Sequence, residues 1–361
     1  METSVLVYGA YGHTGRFVVA QLLSQGLTPV LSGRDPARLA ALAGRLPGLD
    51  VRPATVDDSR SLRNAARGAG LVVNCAGPFL DTAVPVAAAA VRAGAHYLDV
   101  TAEQAAAQAV YRTHQELGWR TDVAVIPAMA FYGGLADLLA TAAATGWETI
   151  DEITVALGLD RWWPTEGTRI TGRRNTGTRF VVDGGRLVPA PSPAPLRDWA
   201  FPRPLGLQAV AGNPFTEIIT MARHLAASRI STYLTTVALE DIRNPETPAP
   251  RAVDEAGRSA QRFVVDVVVG RGGQRRRISA AGRDIYAVTA PLVGEAARRL
   301  IDGRAKMLGA AAPGAGLRRR RLPGGTRSAP PGDSPGRGLA ARVLNPYRRT
   351  TTRPRHSGAS A

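Results

Sequence analysis

Ser4-Val5-Leu6-Val7-Tyr8-Gly9-Ala10-Tyr11-Gly12-His13-Thr14-Gly15 is the stretch on which the fold turns. Ser4–Tyr8 is a short, mostly apolar run of strand character, glycines follow at once at 9, 12 and 15, and a helix-forming run begins after them. Glycine is required where a chain turns tightly off a strand, where backbone approaches a pyrophosphate, and where a helix packs closely on that strand. The helix that opens there offers free N–H groups and partial positive charge to an anion. The GxxGxxG spacing differs from the GxGxxG typical of NAD dehydrogenases. In its strand-turn-helix setting it still predicts a dinucleotide site, with Gly9, Tyr11, Gly12, His13, Thr14 and Gly15 as cofactor-binding residues. A glycine-rich turn without a ligand is the plainer alternative.

Outward from this turn, β-branched runs alternate with Ala/Leu-rich helical stretches, the signature of βαβ units and a parallel sheet. The predicted strands are Ser4–Tyr8, Thr28–Ser32, Asp50–Ala54, Leu71–Asn74, His96–Val100 and Val123–Pro127, joined by helices of mostly about 10 to 16 residues. The fold class is therefore α/β, an N-terminal Rossmann doubly wound parallel sheet plus a C-terminal α+β domain. A helix from about Gly133 to Thr145 leads into a strand at Asp151–Leu159, after which composition shifts toward Thr, Arg, Trp and Pro. The boundaries read as 1–148 for the cofactor domain, 149–309 for the closing domain and 310–361 for a disordered basic tail. Within the second domain, Pro189 to Pro204 is expected to be a long loop. Gln261–Val269 and Arg275–Thr289 read as a hairpin around Gly270-Arg271-Gly272-Gly273, and Thr289 caps a last helix running to about Lys306.

An acid at the end of the second strand would bind the ribose 2′-hydroxyl, but here that strand ends Leu31-Ser32-Gly33-Arg34. Asp35 followed by Pro36 reads as a helix cap. Arg34, with Arg38 one turn later and Ser32 beside them, is left to bind a 2′-phosphate, so the predicted cofactor is NADP. A solvated loop arginine is the competing reading. After the fourth strand, Ala76, Gly77, Pro78 and Phe79 keep the backbone close to the nicotinamide half. Cys75 reads as a small buried hydrophobe.

No catalytic residue is assigned, and substrate-pocket candidates are fewer. Asp99 ends a strand and Glu103 opens the next helix, where its charge favours the helix dipole or else serves the pocket. Thr165, Thr168 and Thr171 surround a helix start. With Arg169 they either hold an anionic or carbonyl group of a substrate or simply cap the helix. Lys306 is the only lysine and residue 302 is Asp, so the Tyr-x-x-x-Lys pair of short-chain dehydrogenases is absent and no general acid is named.

Composition removes other classes. The five histidines and the single cysteine never fall at metal-ligand spacing, so no metal is expected. The net charge of +16 would suggest nucleic acid, but residues 313–361 hold eleven arginines against Asp333 alone, and the body is only mildly basic. No nucleic acid is expected for the folded body. No apolar run reaches the ~18–20 residues of a membrane span, and the N-terminus lacks a basic, cleavable leader, which makes a cytoplasmic location the expectation.

Tyr8–Gly15, Asn74–Phe79, His96-Tyr97-Leu98-Asp99-Val100-Thr101-Ala102-Glu103 and Pro127–Leu138 together resemble the saccharopine dehydrogenase-like oxidoreductases, a group that includes the trans-acting enoyl reductases. The similarity continues through Trp163–Gly172 and Gly282–Pro291. It implies an NADP-dependent oxidoreductase moving hydride between NADPH and a C=O, C=N or activated C=C of a small-molecule substrate. A homodimer is compatible with it. The chain departs from the family pattern at Ala102, Ala130 and Gly134-Leu135-Ala136, where the family most often has Gly, a Gly-Phe and a Pro-Ser before the Asp, and these changes line the expected pocket. A non-catalytic NADP-binding redox sensor is the alternative.

Overall fold

In the computed structural model, which describes residues 4–116, 122–304 and 309–316, the N-terminal part alternates strand and helix as its patterning requires. Strand β1 (Ser4–Tyr8) leads through the glycine turn to α1 (His13–Ser24), then β2 (Pro29–Gly33) and α2 (Pro36–Ala43). β3 (Val51–Pro53), α3 (Ser59–Ala66), β4 (Ala69–Asn74) and α4 (Phe79–Arg92) follow. β5 (His96–Asp99), α5 (Gln104–Glu116) and β6 (Ala124–Ile126) complete the unit. The strands pair in parallel in the order β6-β5-β4-β1-β2-β3. This is the doubly wound order, which reverses between β1 and β4 and leaves a crevice beyond the carboxyl ends of those strands. Each strand lies within two residues of its expected bounds. α2 and α3, at eight residues each, are shorter than expected, and the β3 strand between them has only three residues. Asp35 caps α2 as expected, accepting the Arg38 N–H at 3.0 Å.

After a sharp turn at Phe131–Leu135, α6 (Ala136–Ala143) delivers the chain to β7 (Ile150–Leu159), the first strand of a second sheet. There follow α7 (Glu166–Arg174), the hairpin β8 (Phe180–Asp183) and β9 (Arg186–Pro189), then β10 (Leu196–Ala200) and β11 (Leu207–Gly212). α8 (Thr216–Ala222), β12 (Ala227–Thr235), α9 (Thr236–Arg243), β13 (Arg262–Arg271) and β14 (Gln274–Arg283) complete the sheet. Its order is β10-β11-β12-β7-β13-β14, mixed in direction, with only the β12–β7 pair parallel along that path. The α/β sheet followed by an α+β unit is the expected fold class.

Three expectations need correction. The stretch from Pro189 to Pro204 is not all loop: β10 lies inside it, because the buried Trp199 donates its indole N–H to Asp266 at 2.8 Å while Arg197 stacks over Trp199 and Tyr233. Prolines on both sides keep that strand at the sheet edge. β14 stops at Arg283 rather than running to Thr289, because the buried Asp284 turns the chain, its carboxylate accepting N–H groups from Tyr286, Ala287 and Ser259. Thr289 is consequently not a cap. Its hydroxyl donates to Ile285 O and accepts the Phe131 N–H at 3.2 Å.

The helix expected to run to about Lys306, α10 (Thr289–Ile301), ends earlier and packs against α1 of the first sheet. β15 (Gly309–Ala310) then adds to β6 in parallel, and α11 (Pro313–Gly316) anchors through the Gly314 N–H, which donates to Asp137 at 3.0 Å. Residues 310–316 of the expected disordered tail are thus ordered, and the remainder of that expectation lies outside the described residues. Leu31, Leu71 and Val73 of the first sheet, Val293 of α10, and Ile153 and Val267 of the second share one hydrophobic core. The first sheet, with the crevice above β1 and β4, is therefore packed against the second sheet through that core.

Candidate cofactor and substrate site

The glycine turn is built by close backbone contact. Gly9 has φ +83°, and a Cβ there would sit 2.8 Å from Ala76 N at the end of β4. A Cβ on Gly15 would come within 2.2 Å of Gly9 O, so α1 can start this close to β1 only with glycine. No side chain caps α1, whose first residues, His13 and Thr14, border a cavity of about 1160 Å³. That volume exceeds the ~300–1,000 Å³ usual for small-molecule pockets. An uncapped helix start, glycine backbone in van der Waals range and a cavity of this size fit a dinucleotide.

At one end of the cavity Arg34 and Arg38 are exposed, and neither guanidinium forms a hydrogen bond or ion pair among the described residues. The Arg38 guanidinium stands 4.6 Å over the Tyr11 ring, and that ring lies where a Cβ on Gly33 would have to go, 2.7 Å away. Gly9, Tyr11, His13, Thr14, Arg34 and Arg38 all border the cavity, as do Ala76, Gly77, Pro78 and Phe79 beyond β4. Gly12 and Gly15 shape the turn without bordering it. Ser32 corrects an expectation: it is fully buried beneath the turn, and its hydroxyl donates to Arg52 O at 2.7 Å. Cys75 borders the cavity instead of being sealed from it, and burial pushes its thiol far above the ordinary range.

The two acids have structural partners. Asp99 is buried away from the cavity. Its carboxylate accepts from Tyr97 OH at 2.9 Å and from the N–H groups of Thr101 and Ala128 at 3.0 and 2.8 Å. Burial raises its pKa to about 6. Glu103 borders the cavity, as expected, but its carboxylate is already engaged, and not by its own helix. It caps α4 by accepting the Phe79 N–H at 2.8 Å and the Leu80 N–H at 3.2 Å, and burial pushes its carboxyl up. Thr101 O accepts from Thr216 at 3.1 Å, and the Gln104 amide donates to Phe180 O and Phe215 O at 3.0 and 2.9 Å. The polar run Asp99–Gln104 is therefore the hub that ties α4, β6, β8 and α8 together.

From the second sheet, α7 closes over the cavity. Thr165 caps it, accepting the Thr168 N–H at 3.1 Å. Thr168 shares a hydrogen bond of 2.9 Å with Tyr286, whose hydroxyl also accepts from the Trp162 indole at 3.1 Å. Thr171 Oγ1 stands 3.1 Å from where a Cβ on Gly77 would lie, and Arg174 pairs with Asp81 of α4. Thr165, Thr168 and Arg169 border the cavity as expected, but the Arg169 guanidinium is already engaged there, donating to Asn244 O and to Thr247 O at 2.6 Å. Residues that pattern reading missed supply the far wall. Tyr132 stacks on Phe215 with centroids 4.1 Å apart, Trp162 lies beside them, and Arg179 borders the same space. His13, also in the cavity, meets Tyr286 edge-on at 5.2 Å, and burial lowers its pKa. Among the described residues there is no cluster of His, Cys, Asp or Glu fit to hold a metal, and no helix is long and apolar enough to cross a membrane.

Residues 5–124 match the family model described as the saccharopine dehydrogenase NADP binding domain. The saccharopine dehydrogenase-like resemblance is borne out. A lipid droplet localized protein of Caenorhabditis elegans is 32% identical over 146 residues, which is 37% of this chain and 34% of that protein. A probable mitochondrial saccharopine dehydrogenase-like oxidoreductase of Arabidopsis thaliana is 30% identical over 142 residues, 35% of this chain and 31% of that one. A trans-acting enoyl reductase of Mycobacterium ulcerans is 33% identical over 109 residues, 28% of this chain and 26% of that one. The matched part of the chain spans about a third or less of these relatives' length. The fold similarity reaches further. Apo saccharopine dehydrogenase (L-Glu forming) from Saccharomyces cerevisiae aligns with a TM-score of 0.60 over 87% of this chain and 94% of its own, at 13% identity.

Proposed function

We propose that this protein is an NADP-dependent oxidoreductase that moves a hydride between the nicotinamide and a C=O, C=N or activated C=C of a small substrate. One observation carries the reading: a single cavity is bordered by Arg34 and Arg38, whose guanidinium groups form no hydrogen bond or ion pair among the described residues, by the glycine turn, and by an aromatic wall of Tyr132, Trp162 and Phe215. The cofactor supplies the hydride when bound. The chain's own residues bind and align. The backbone at Gly9 and the start of α1 receive the diphosphate, and Arg34 and Arg38 receive the 2′-phosphate in charge-assisted bonds. Ala76 and Gly77 leave room at the nicotinamide half, and Glu103 holds the start of α4 in place beside them. Tyr132, Trp162 and Phe215 exclude water from the reacting centre.

The test is a pair of titrations. Arg34→Ala is expected to weaken NADPH binding at least about tenfold with little change for NADH, since only the phosphorylated ribose meets that guanidinium. Equal losses for both cofactors would overturn the assignment of NADP.

A further inference from the structure

Where the cavity meets Phe215 and Asn213, one guanidinium is half-buried without an acid bonded to it. Arg179 donates to Asn213 Oδ1, and its Cζ stands 5.7 Å above the centroid of Phe215. Its place is imposed from the first sheet. The neighbouring Phe180 donates its N–H to Gln104 Oε1 at 2.8 Å and accepts the Gln104 amide at 3.0 Å, while that amide also donates to Phe215 O. Gln104 thus fixes Arg179 and Phe215 together at the start of α5. The acid whose field reaches Arg179 is Glu217, but its Oε1 accepts the Phe215 N–H at 3.0 Å, burial pushes its carboxyl up, and it forms no ion pair with Arg179. Arg243, also on the cavity wall, adds positive charge.

The chemistry around Arg179 is specific. A guanidinium has only donors, so Asn213 must turn Oδ1 toward it, which leaves the Asn213 amide nitrogen as a second donor beside it. Tyr132, 8% exposed, borders the same space, and its buried hydroxyl has no hydrogen-bond partner among the described residues. Its ring, stacked on Phe215 and flanked by Trp162 at 5.5 Å, forms a flat apolar wall. Partial desolvation strengthens what a guanidinium gains from an anion, and the planar fork matches a carboxylate.

We infer that this part of the cavity is a carboxylate subsite. The substrate carries a carboxylate taken by Arg179 and Asn213, and an aromatic or extended apolar group lying against Tyr132, Phe215 and Trp162. The inference rests on the oxidoreductase reading, because the subsite opens into the cavity that holds the glycine turn. A phosphoryl group is the less suitable anion, since its three oxygens and second charge call for more donors than one guanidinium and one amide.

The full-length protein saturated with NADP+ is titrated calorimetrically with hydrocinnamate, its neutral amide hydrocinnamamide, and phenyl phosphate. Hydrocinnamate is expected to bind at least about tenfold more tightly than the amide, as one charge-assisted bidentate pair requires. Arg179→Met abolishes that preference while the amide's affinity stays within about twofold, and Asn213→Ala reduces it about threefold, a second reading should Arg179→Met not fold. Equal affinities of the wild type for acid and amide overturn the subsite, as does a preference that survives Arg179→Met or no heat with hydrocinnamate at about 10 mM, well beyond the usual KM range. Tighter Arg179-dependent binding of phenyl phosphate overturns the carboxylate class in favour of a phosphoryl one. If the carboxylate preference holds but no NADP+ binding is detected, the cofactor reading fails and the subsite stands.

Discussion

The cavity brings together two polar regions in opposite states. Around the glycine turn, Arg34 and Arg38 are exposed, with no hydrogen bond to either guanidinium among the described residues, and the start of α1 is uncapped. Along Asp99–Gln104, Asp99, Thr101, Glu103 and Gln104 are all buried and bonded to specific backbone groups or, for Asp99, to Tyr97 as well. Both regions read as functional in a sequence, because polar side chains and glycines at strand ends are what ligand sites use. The difference is whether donors and acceptors remain open after folding. Open ones mark the ligand, whereas satisfied ones mark scaffold, since a buried polar group without a partner is costly.

The largest test of this contrast is Gly15→Ala. Its methyl would lie 2.2 Å from Gly9 O, so the turn must open, and dinucleotide affinity measured by fluorescence titration is expected to fall at least about 100-fold. Retained affinity would mean that the turn is not the binding element. The second concerns the scaffold. Because burial raises Asp99 from 3.8 to about 6, its folded form holds the proton more tightly than the unfolded form. Its contribution is complete below the unfolded pKa and is lost as pH rises through about 6. The shift amounts to ~3 kcal/mol, at about 1.4 kcal/mol per unit. Asp99→Asn cannot titrate, so wild-type stability should decline relative to the variant across that window in urea unfolding followed by circular dichroism. Parallel curves would remove the raised carboxyl from the account. The smallest effect is expected from Glu103→Gln, which leaves one N–H at the start of α4 facing a donor and should cost ~1–2 kcal/mol of stability. No loss in urea midpoint would show that Glu103 is not the cap.

Legibility followed the range of the interactions. The first sheet was readable because each strand–turn–helix step is local: Asp35 caps the helix it precedes, and Gly9 turns the strand it follows. The Pro-rich stretch misled because β10 is held by a tryptophan whose partner, Asp266, lies on β13. Arg169 lines the cavity as its position suggests, but the carbonyls that occupy its guanidinium belong to the loop after α9 and leave no local signal. Arg179 and Tyr132 carried no local signal, because one follows α7 in an irregular segment and the other sits in a turn between β6 and α6.

By itself the chain's sequence determined the parallel sheet, the glycine turn and the missing acid after β2, because periodicity, backbone freedom and charge act over a few residues. The tertiary structure alone decided which polar groups stay open. That depends on partners far along the chain, as when Gln104 holds Phe180 and Phe215, and only packing brings such groups within ~3 Å of one another.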